Sequence, residues 1–174
     1  WVNQNQTYRH EVHGGYMWSP KVNVRGQHIR PYDLMRQLVP GDIVFSYANT
    51  AIKAVGVVQS CCYEFPKPIE FGSAGSNWSN IGWRVDVNFK EAASPLRTMD
   101  HIATLRPLLP QIHAPLKTDS GGANQSYLFH IPEPLALALA QLLDRWTLDL
   151  VRGNTVLDAL PDRSIENIAE WEDR

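Results

Sequence analysis

The sequence contains very little cysteine and no long apolar segment. Cys61 and Cys62 are the only cysteines in 174 residues, and an ordinary structural disulfide between adjacent residues is not expected. No run approaches the roughly 18 consecutive apolar residues of a membrane-spanning helix. Residues 1–4 have neither the basic part nor the apolar part of a signal peptide. We therefore expect a soluble, cytoplasmic protein without a membrane partner.

Motifs for catalysis and cofactor binding are also missing. The chain has no GxxxxGK[ST] phosphate loop, no GxGxxG, no HExxH and no CxxC pair. His10 and His13 with Glu11 are a weak metal-site hypothesis, because they lie in a glycine-flanked stretch that is predicted to be non-helical. Cys61 and Cys62 are predicted to be buried strand residues rather than nucleophiles. We expect no catalytic residue, no metal and no cofactor in this domain.

The formal net charge of −2 is distributed unevenly along the chain. Residues 1–134 hold 12 Lys and Arg against 10 Asp and Glu, whereas residues 135–174 hold 4 against 8. The first segment therefore carries a small positive excess and contains all six histidines. This asymmetry permits a polyanionic partner for the first segment.

Strand patterns dominate the first two thirds of the chain, and helical patterns flank them. The predicted strands are residues 1–4, 43–47, 52–60, 83–89 and 127–130, with residues 48–51 as a hairpin connection, and the predicted helices are residues 32–39 and 135–150. Residues 8–21 are predicted as a segment that turns at Gly14-Gly15, and Ser120-Gly121-Gly122 as a mobile turn. This order favours an α+β fold, a small twisted β-barrel or strongly curved sheet flanked by helices, over a βαβ repeat.

Tryptophan is abundant, with six in the chain. Trp18 and Trp78 lie in segments rich in glycine, serine and asparagine, where a tryptophan cannot easily be buried on all sides. A flat aromatic surface with polar neighbours suits a planar ligand such as a nucleic-acid base. The alternative is that these tryptophans only fasten loops to the sheet. Trp146 and Trp171, in helical surroundings, are assigned to packing.

A protein that reads a chemical mark on a base can extrude that base from the duplex, stack it on aromatic rings and hydrogen-bond its edge. The amide and hydroxyl groups predicted for the edge are those of Asn3, Gln4, Asn5, Ser19, Ser46 and Asn77. The basic side chains predicted to contact the DNA backbone are those of Arg9, Lys21, Arg25, Arg30, Lys53 and Arg84.

Several runs of the sequence resemble one known family. They are WVNQNQTY at residues 1–8, GYMWSPK at 15–21, PGDIVFS at 40–46 and FGSAG with NW and IGWRV between 71 and 85. Together they resemble the EVE-like N-terminal domain that precedes an HNH nuclease domain in bacterial modification-dependent endonucleases, over nearly all of the chain to about residue 145. The resemblance implies a PUA-like fold and a double-stranded DNA partner that carries a modified base, with 5-methylcytosine or 5-hydroxymethylcytosine favoured.

A more distant resemblance is to the YTH readers of methylated adenine in the same superfamily. Trp18-Ser19, the run Gly56-Val57-Val58-Gln59, and Trp78 with Trp83 occur in the same order, with the same five-residue interval between the last two tryptophans. By this analogy Trp18 and Trp78 form an aromatic cage. Trp83 is a third wall or the core residue beneath it, and Phe45 lines the floor. N6-methyladenine therefore remains an alternative mark.

The sequence has no His-Asn-His nuclease motif. The resemblance implies that cleavage and its divalent metal belong to a separate nuclease domain. Residues 1–150 are then the reading domain and residues 151–174 an acidic linker helix toward the nuclease, with dimerisation of the full-length enzyme left open. The alternatives are an RNA-binding PUA-like module, a small enzyme that uses Cys61 or a histidine, and a protein-interaction domain.

Overall fold

The computed structural model describes residues 1–153 as an α+β fold built on a strongly curled, half-barrel sheet with helices around it. The predicted fold class is confirmed. Within the described residues, none of the helices has the length and apolar character needed to cross a membrane. The predicted linker helix beyond residue 153, including Trp171, lies outside the described residues.

Six strands build the sheet within residues 1–153. They are β1 Val2–Asn3, β2 Tyr16–Pro20, β3 Ile43–Ala48, β4 Ala51–Val58, β5 Tyr63–Pro66 and β6 Ile81–Arg97. The strand order is β1-β3-β4-β6-β2, and β5 also pairs with β6. The β1–β3 pair is parallel, and the other pairs are antiparallel. Strand β6 reaches 17 residues because its first part pairs with β2 and β5 and its later part with β4.

The β3–β4 hairpin is confirmed, and its turn has two residues. Asn49 and Thr50 are the two connecting residues, with φ of 49° and 68°. Positive φ at both central residues is the feature of a type I′ turn, whose twist matches that of the two strands. Asparagine tolerates this left-handed conformation, whereas a β-branched threonine is strained in it.

Five α-helices occur in the described part of the chain. They are α1 Tyr8–Gly14, α2 Arg30–Asp33, α3 Ile102–Leu105, α4 Glu133–Leu143 and α5 Arg145–Val151. The prediction that this segment is non-helical is wrong, since residues 8–14 form α1. The sequence did not indicate a helix because its buried side includes Glu11 as well as Val12 and so lacks a simple apolar stripe. Gly15, with φ of 74°, ends it in the left-handed conformation.

The single long helix predicted for residues 135–150 is in fact two helices. Asp144 adopts an extended conformation between α4 and α5, and its carboxylate accepts a hydrogen bond of 2.7 Å from the backbone N–H of Thr147. Asp144 is thus an N-cap inside an otherwise continuous apolar pattern. The predicted helix at residues 32–39 is α2 followed by a 3₁₀ turn at Leu34–Gln37.

Other elements differ from the prediction in extent. Strands β2 and β5 were not predicted, and β6 continues well beyond Phe89. Cys61 is exposed and Cys62 half-buried in the connection before β5, so the prediction of buried strand cysteines is wrong. The predicted last strand at residues 127–130 is a short segment beside β1, where the N–H of Asn3 donates to the carbonyl of Tyr127 at 2.7 Å.

The two faces of the sheet bury separate apolar clusters. Along β3, Val44 packs with Met17 and Val85 on one face, whereas Phe45 packs on the other face with residues of α4 and α5. Trp146 of α5 packs against this second cluster, as predicted. Strands β1 and β2 stand at opposite ends of the strand order, so the curl of the sheet leaves an open seam.

The β3–β4 turn gives a test of this fold. We expect Thr50→Gly to raise the free energy of unfolding by about 1 kcal/mol, because it removes the strain of a β-branched residue at positive φ. Urea titration at constant pH measures the change. Asn49→Gly is the matched control and should change stability less, since asparagine already tolerates that conformation. A loss of stability in Thr50→Gly would contradict the turn assignment.

Candidate functional site

A cavity of about 580 Å³ lies at the seam of the curled sheet. Its lining comes from β1 and the 3₁₀ turn Asn5–Thr7 on one side, from β2 on the other, and from the β3–β4 turn, residues 123–127, Tyr32 and Trp78 around them. The two ends of the strand order therefore supply two walls of one cavity. The predicted base-contacting residues that line it are Asn3, Gln4, Asn5, Trp18, Ser19 and Trp78.

The aromatic wall of the cavity is a packed cluster. Trp18 is only 1% exposed. Its ring centroid lies 6.0 Å from that of Trp78, with 31° between the ring planes. Phe71 meets both indoles edge-on, at 5.9 Å from Trp18 and 6.2 Å from Trp78. The indole N–H of Trp18 donates to the carbonyl of Phe65 at 3.1 Å. Trp18 is therefore a fixed part of the wall, and Trp78 packs against it.

Trp78 sits on the loop between the 3₁₀ turn Ile69–Phe71 and β6, and its place there depends on Gly75. A Cβ at Gly75 would lie 2.0 Å from Cε3 of Trp78, and the φ of Gly75 is +72°. Both the space and the backbone conformation therefore require glycine. Trp78 remains half-buried, in contrast to Trp18.

The spacing of the two indoles limits how a base can stack. A base between two rings needs the rings roughly 7 to 8 Å apart, since carbon atoms in contact are separated by about 3.5 to 4 Å. The centroid distance of 6.0 Å between Trp18 and Trp78 is shorter than this. A sandwiched base would require Trp78 to move outward, whereas a base that stacks without such movement would use the outer surface of the cluster.

A buried polar network lies behind the floor of the cavity. Glu11 is fully buried and accepts hydrogen bonds from Nε2 of Gln4 at 2.6 Å, from the hydroxyl of Thr7 at 2.7 Å and from that of Tyr127 at 2.8 Å. The Tyr127 hydroxyl oxygen accepts from the backbone N–H of Trp18 at 3.1 Å. Gln4, Thr7 and Tyr127 also line the cavity. The network therefore joins both sides of the seam.

The hydrogen atoms of this network can be counted. The Thr7 hydroxyl has one hydrogen but lies within hydrogen-bond distance of two oxygens, the Gln4 carbonyl at 2.9 Å and Oε1 of Glu11 at 2.7 Å. The hydroxyl hydrogen can go to Glu11 without leaving the Gln4 carbonyl unpaired, because that carbonyl also accepts from the backbone N–H of Thr7 at 2.8 Å. Burial raises the pKa of Glu11 to about 8, although the hydrogen bonds from Thr7, Gln4 and Tyr127 act in the opposite direction. Glu11 is thus a neutral acid at neutral pH.

The amide of Asn3 is occupied within the protein. Its Nδ2 donates to the carbonyls of Asn124 at 2.9 Å and Ser126 at 2.7 Å, and its Oδ1 accepts from the indole N–H of Trp1. Asn3 therefore holds residues 124–126 at the cavity wall instead of presenting a free amide. Ser19 lines the cavity, and its hydroxyl contacts the carbonyl of Pro20 at 3.1 Å.

Four other predicted base-contacting residues are not at the cavity surface. Phe45 belongs to the core on the far face of β3, because side chains alternate along a strand. Ser46 is buried behind the cavity, where its hydroxyl donates to Oε1 of Gln4. Asn77 is exposed on the Trp78 loop. Trp83 packs against the core cluster of Met17 and Val85, with the Lys21 ammonium group 4.4 Å from its ring centroid, which agrees with the prediction of a core residue and not with that of a third wall.

The predicted DNA-backbone cations fall into two groups. Arg9, Arg25 and Arg30 are exposed. Arg84, by contrast, lies 4.3 Å from the ring of Tyr16 and 4.5 Å from that of Phe65, and its Nε contacts Asp86 at 3.2 Å. The remaining two side chains also have partners inside the protein: Lys21 pairs with Glu64, and Lys53 lies 5.5 Å from the ring of Tyr8. Arg84 is a structural residue in this arrangement.

A second cavity, of about 560 Å³, is lined by Gln6, Arg9, His10, His13 and Glu70. No group of three metal-ligating side chains occurs among residues 1–153, and Glu11 is directed into the buried network rather than toward the two histidines. Burial raises the pKa of the Cys62 thiol to about 11, which disfavours a nucleophilic thiolate there.

Sequence reasoning missed several residues of the site. Glu11 and Tyr127 contact each other although 116 positions separate them, and neither periodicity nor a local motif signals such a pair. Tyr32 and Tyr47 also line the cavity.

Neither a protein-family model nor a curated protein was found to match this chain. Its function must therefore be argued from the geometry of the site and from the sequence motifs.

The neutral carboxyl group of Glu11 makes stability depend on pH. Above about pH 4.3 the unfolded chain releases this proton, whereas the folded protein keeps it until the folded pKa of about 8. The stabilisation is therefore complete below the unfolded pKa and disappears as pH rises through the folded pKa. We expect the contribution of Glu11 to the free energy of unfolding, taken as wild type minus Glu11→Gln, to fall by on the order of 2 kcal/mol or more between about pH 5 and pH 8; the buried Trp1 amine, whose pKa is lowered to about 5, acts in the opposite direction in both proteins.

Glu11→Gln isolates this effect, because the amide can donate to Thr7 and accept from Gln4 and Tyr127 but has no titrating proton. Denaturant unfolding across the same pH interval should show that this variant lacks the fall in stability that Glu11 contributes to the wild type. Glu64→Gln, which changes an exposed carboxylate, serves as the control and should keep the wild-type slope. An equal slope in Glu11→Gln would show that Glu11 is ionised in the folded protein.

Proposed function

We propose that this chain is the modified-base-reading domain, of the EVE type within the PUA-like superfamily, of a bacterial modification-dependent HNH restriction endonuclease. It binds double-stranded DNA and takes a modified base, 5-methylcytosine or 5-hydroxymethylcytosine, into the cavity at the seam. The observation that carries the proposal is the shape of that cavity, about 580 Å³ with indoles on one side and amide and hydroxyl groups opposite.

Base extrusion is energetically feasible in such a cavity. Removing a base from the stack costs a few kcal/mol, and stacking on an aromatic side chain returns about 1 to 3 kcal/mol per base. The remaining contribution must come from hydrogen bonds to the edge of the base and from contacts with phosphates. The cavity supplies the first of these through its polar lining.

That polar lining has a fixed part and an adaptable part. Gln4 and Tyr127 are held by the Glu11 network, so their positions are set before any ligand binds. Asn5, Asn49 and Gln125 are exposed residues of the same lining. We assign the distinction between one modified base and another to these three amides, because their polar groups lie at the open side of the cavity.

Positive charge borders the cavity where a DNA strand would pass. The segment between Pro20 and Tyr32, which both line the cavity, contains the exposed side chains of Arg25 and Arg30. Contacts from these arginines to phosphates would fix the register of the duplex without reading its sequence. Cleavage is assigned to a nuclease domain outside this sequence, with its own divalent metal.

Trp78 provides the decisive test. Duplexes that differ only at one cytosine, which is unmodified, 5-methyl or 5-hydroxymethyl, are titrated with the protein at fixed salt, beside an N6-methyladenine duplex and an RNA duplex. We expect Trp78→Ala to weaken binding of the preferred modified duplex by about 5- to 100-fold, the equivalent of removing the stacking of one base on one indole, and to leave weak general binding unchanged.

Two further variants control this experiment. Trp146→Phe changes a tryptophan of α5 that packs in the core and should not alter the preference. Gly75→Ala keeps the indole of Trp78 but displaces it, and should reproduce the loss of preference. Trp18→Ala is a poorer probe, since removal of an indole that is 1% exposed would also destabilise the fold.

The proposal fails if the wild-type protein binds all DNA duplexes alike, or binds the RNA duplex more tightly than any of them. In the second case the RNA-binding alternative replaces it. Equal preference in Trp78→Ala and wild type would place base recognition somewhere other than this cavity.

A further inference from the structure

The second cavity lies directly beside the first. Gln6 lines both of them. Phe71 packs against Trp18 and Trp78 of the first cavity, and its ring centroid is also 6.1 Å from that of His10, which lines the second. A nucleotide whose base enters the first cavity carries its phosphates past the rim that the two cavities share.

The lining of the second cavity favours an anion only when one of its histidines carries a positive charge. Arg9 contributes one positive charge, and Glu70, which accepts a hydrogen bond of 2.6 Å from the Tyr16 hydroxyl, contributes one negative charge. His10 and His13 complete the lining. The cavity therefore gains a net positive charge only when at least one imidazole is protonated.

Other charged groups also act on these imidazoles. Glu91 of β6 lies 3.4 Å from Nε2 of His13 and accepts a hydrogen bond from the hydroxyl of Tyr8, whose ring lies below Lys53. Arg9 lies on α1 with the two histidines, four residues before His13, and Glu70 also lines the cavity. A protonated imidazole donates hydrogen bonds from both ring nitrogens and so can bind a phosphate oxygen.

We infer that the second cavity binds a backbone phosphate of the nucleic acid, next to the nucleotide whose base occupies the first cavity, and that His10 and His13 bind it in their protonated forms. This inference rests on the proposed function, since it takes the ligand of the first cavity to be a nucleotide. The second cavity contributes affinity without distinguishing one base from another, because phosphates carry no sequence information.

The test measures affinity for the unmodified and the preferred modified duplex at about pH 6 and about pH 8, over a range of salt concentrations. The double variant His10→Gln/His13→Gln should lack most of the wild-type gain in affinity at the lower pH. The slope of its affinity against salt concentration should fall there by about one unit for each phosphate that the variant no longer binds. The ratio of modified to unmodified binding should stay at the wild-type value.

Two single variants sharpen the test. Glu70→Gln removes the negative charge but keeps an acceptor for the Tyr16 hydroxyl, and should bind both duplexes several-fold more tightly at about pH 8. A purely structural role of Glu70 would instead leave affinity unchanged or lower it. His130→Gln, at an exposed histidine that lines neither cavity, should behave like the wild type at both pH values. Titration of Glu11 affects all of these proteins equally.

The phosphate site is overturned if the double variant keeps the pH and salt dependence of the wild type. If the wild type shows no preference for modified duplexes but the double variant still binds more weakly than the wild type at low pH, the phosphate site stands and the base-reading proposal fails. If the wild type binds no nucleic acid at either pH, both proposals fail.

Discussion

Glu11 accepts hydrogen bonds from Gln4, which follows β1, and from Tyr127, which lies in the short segment beside β1. The Tyr127 hydroxyl in turn accepts a hydrogen bond from the backbone N–H of Trp18 in β2. These contacts span the seam between the two ends of the sheet. An ionised carboxylate so deeply buried would need a cationic partner, whereas a neutral acid needs only hydrogen-bond partners, which the network supplies. The two sides of the seam are therefore joined by hydrogen bonds that meet at Glu11, whose pKa is raised by burial.

The cavity inherits its character from this closure. Its floor is rigid because Gln4, Thr7 and Tyr127 are tied to Glu11. Its aromatic wall is a fixed indole of Trp18 covered by the half-buried indole of Trp78, which is carried by a loop. The cavity thus combines a floor fixed by hydrogen bonds with an aromatic wall whose outer indole is half-buried. The structural and functional roles of the seam are thus difficult to separate.

Much of the fold could be predicted from local patterns. The β3–β4 hairpin followed from two β-rich runs around a short polar connection, and the α+β class followed from the distribution of strands and helices. Helix α1 could not be predicted, because its buried side is formed partly by Glu11, which looks like a surface residue in the sequence. The break at Asp144 was hidden because a single capping residue interrupts an otherwise continuous apolar pattern.

The candidate site was also predicted only where local sequence patterns indicated it. Trp18 and Trp78 were singled out because tryptophans in glycine- and serine-rich segments were expected to stay partly exposed. The structure brings the two together, but Trp18 is buried in β2 and only Trp78 is half-buried. Trp83 and Phe45 were assigned to the site by analogy, but the alternation of side chains along β6 and β3 directs them elsewhere. The contacts of Glu11 with Tyr127 depend on the tertiary fold alone and leave no trace in the local sequence.

The conformation of Gly75 has a consequence for how such a protein would drift over generations. Any side chain at this position would meet the indole of Trp78 and would also force a left-handed backbone on an ordinary residue. The position lies on a surface loop, but Trp78 packs against the buried Trp18 and Phe71, so a replacement would disturb this core cluster as well as the aromatic wall. A single codon change at Gly75 would therefore affect the folded structure and the cavity together.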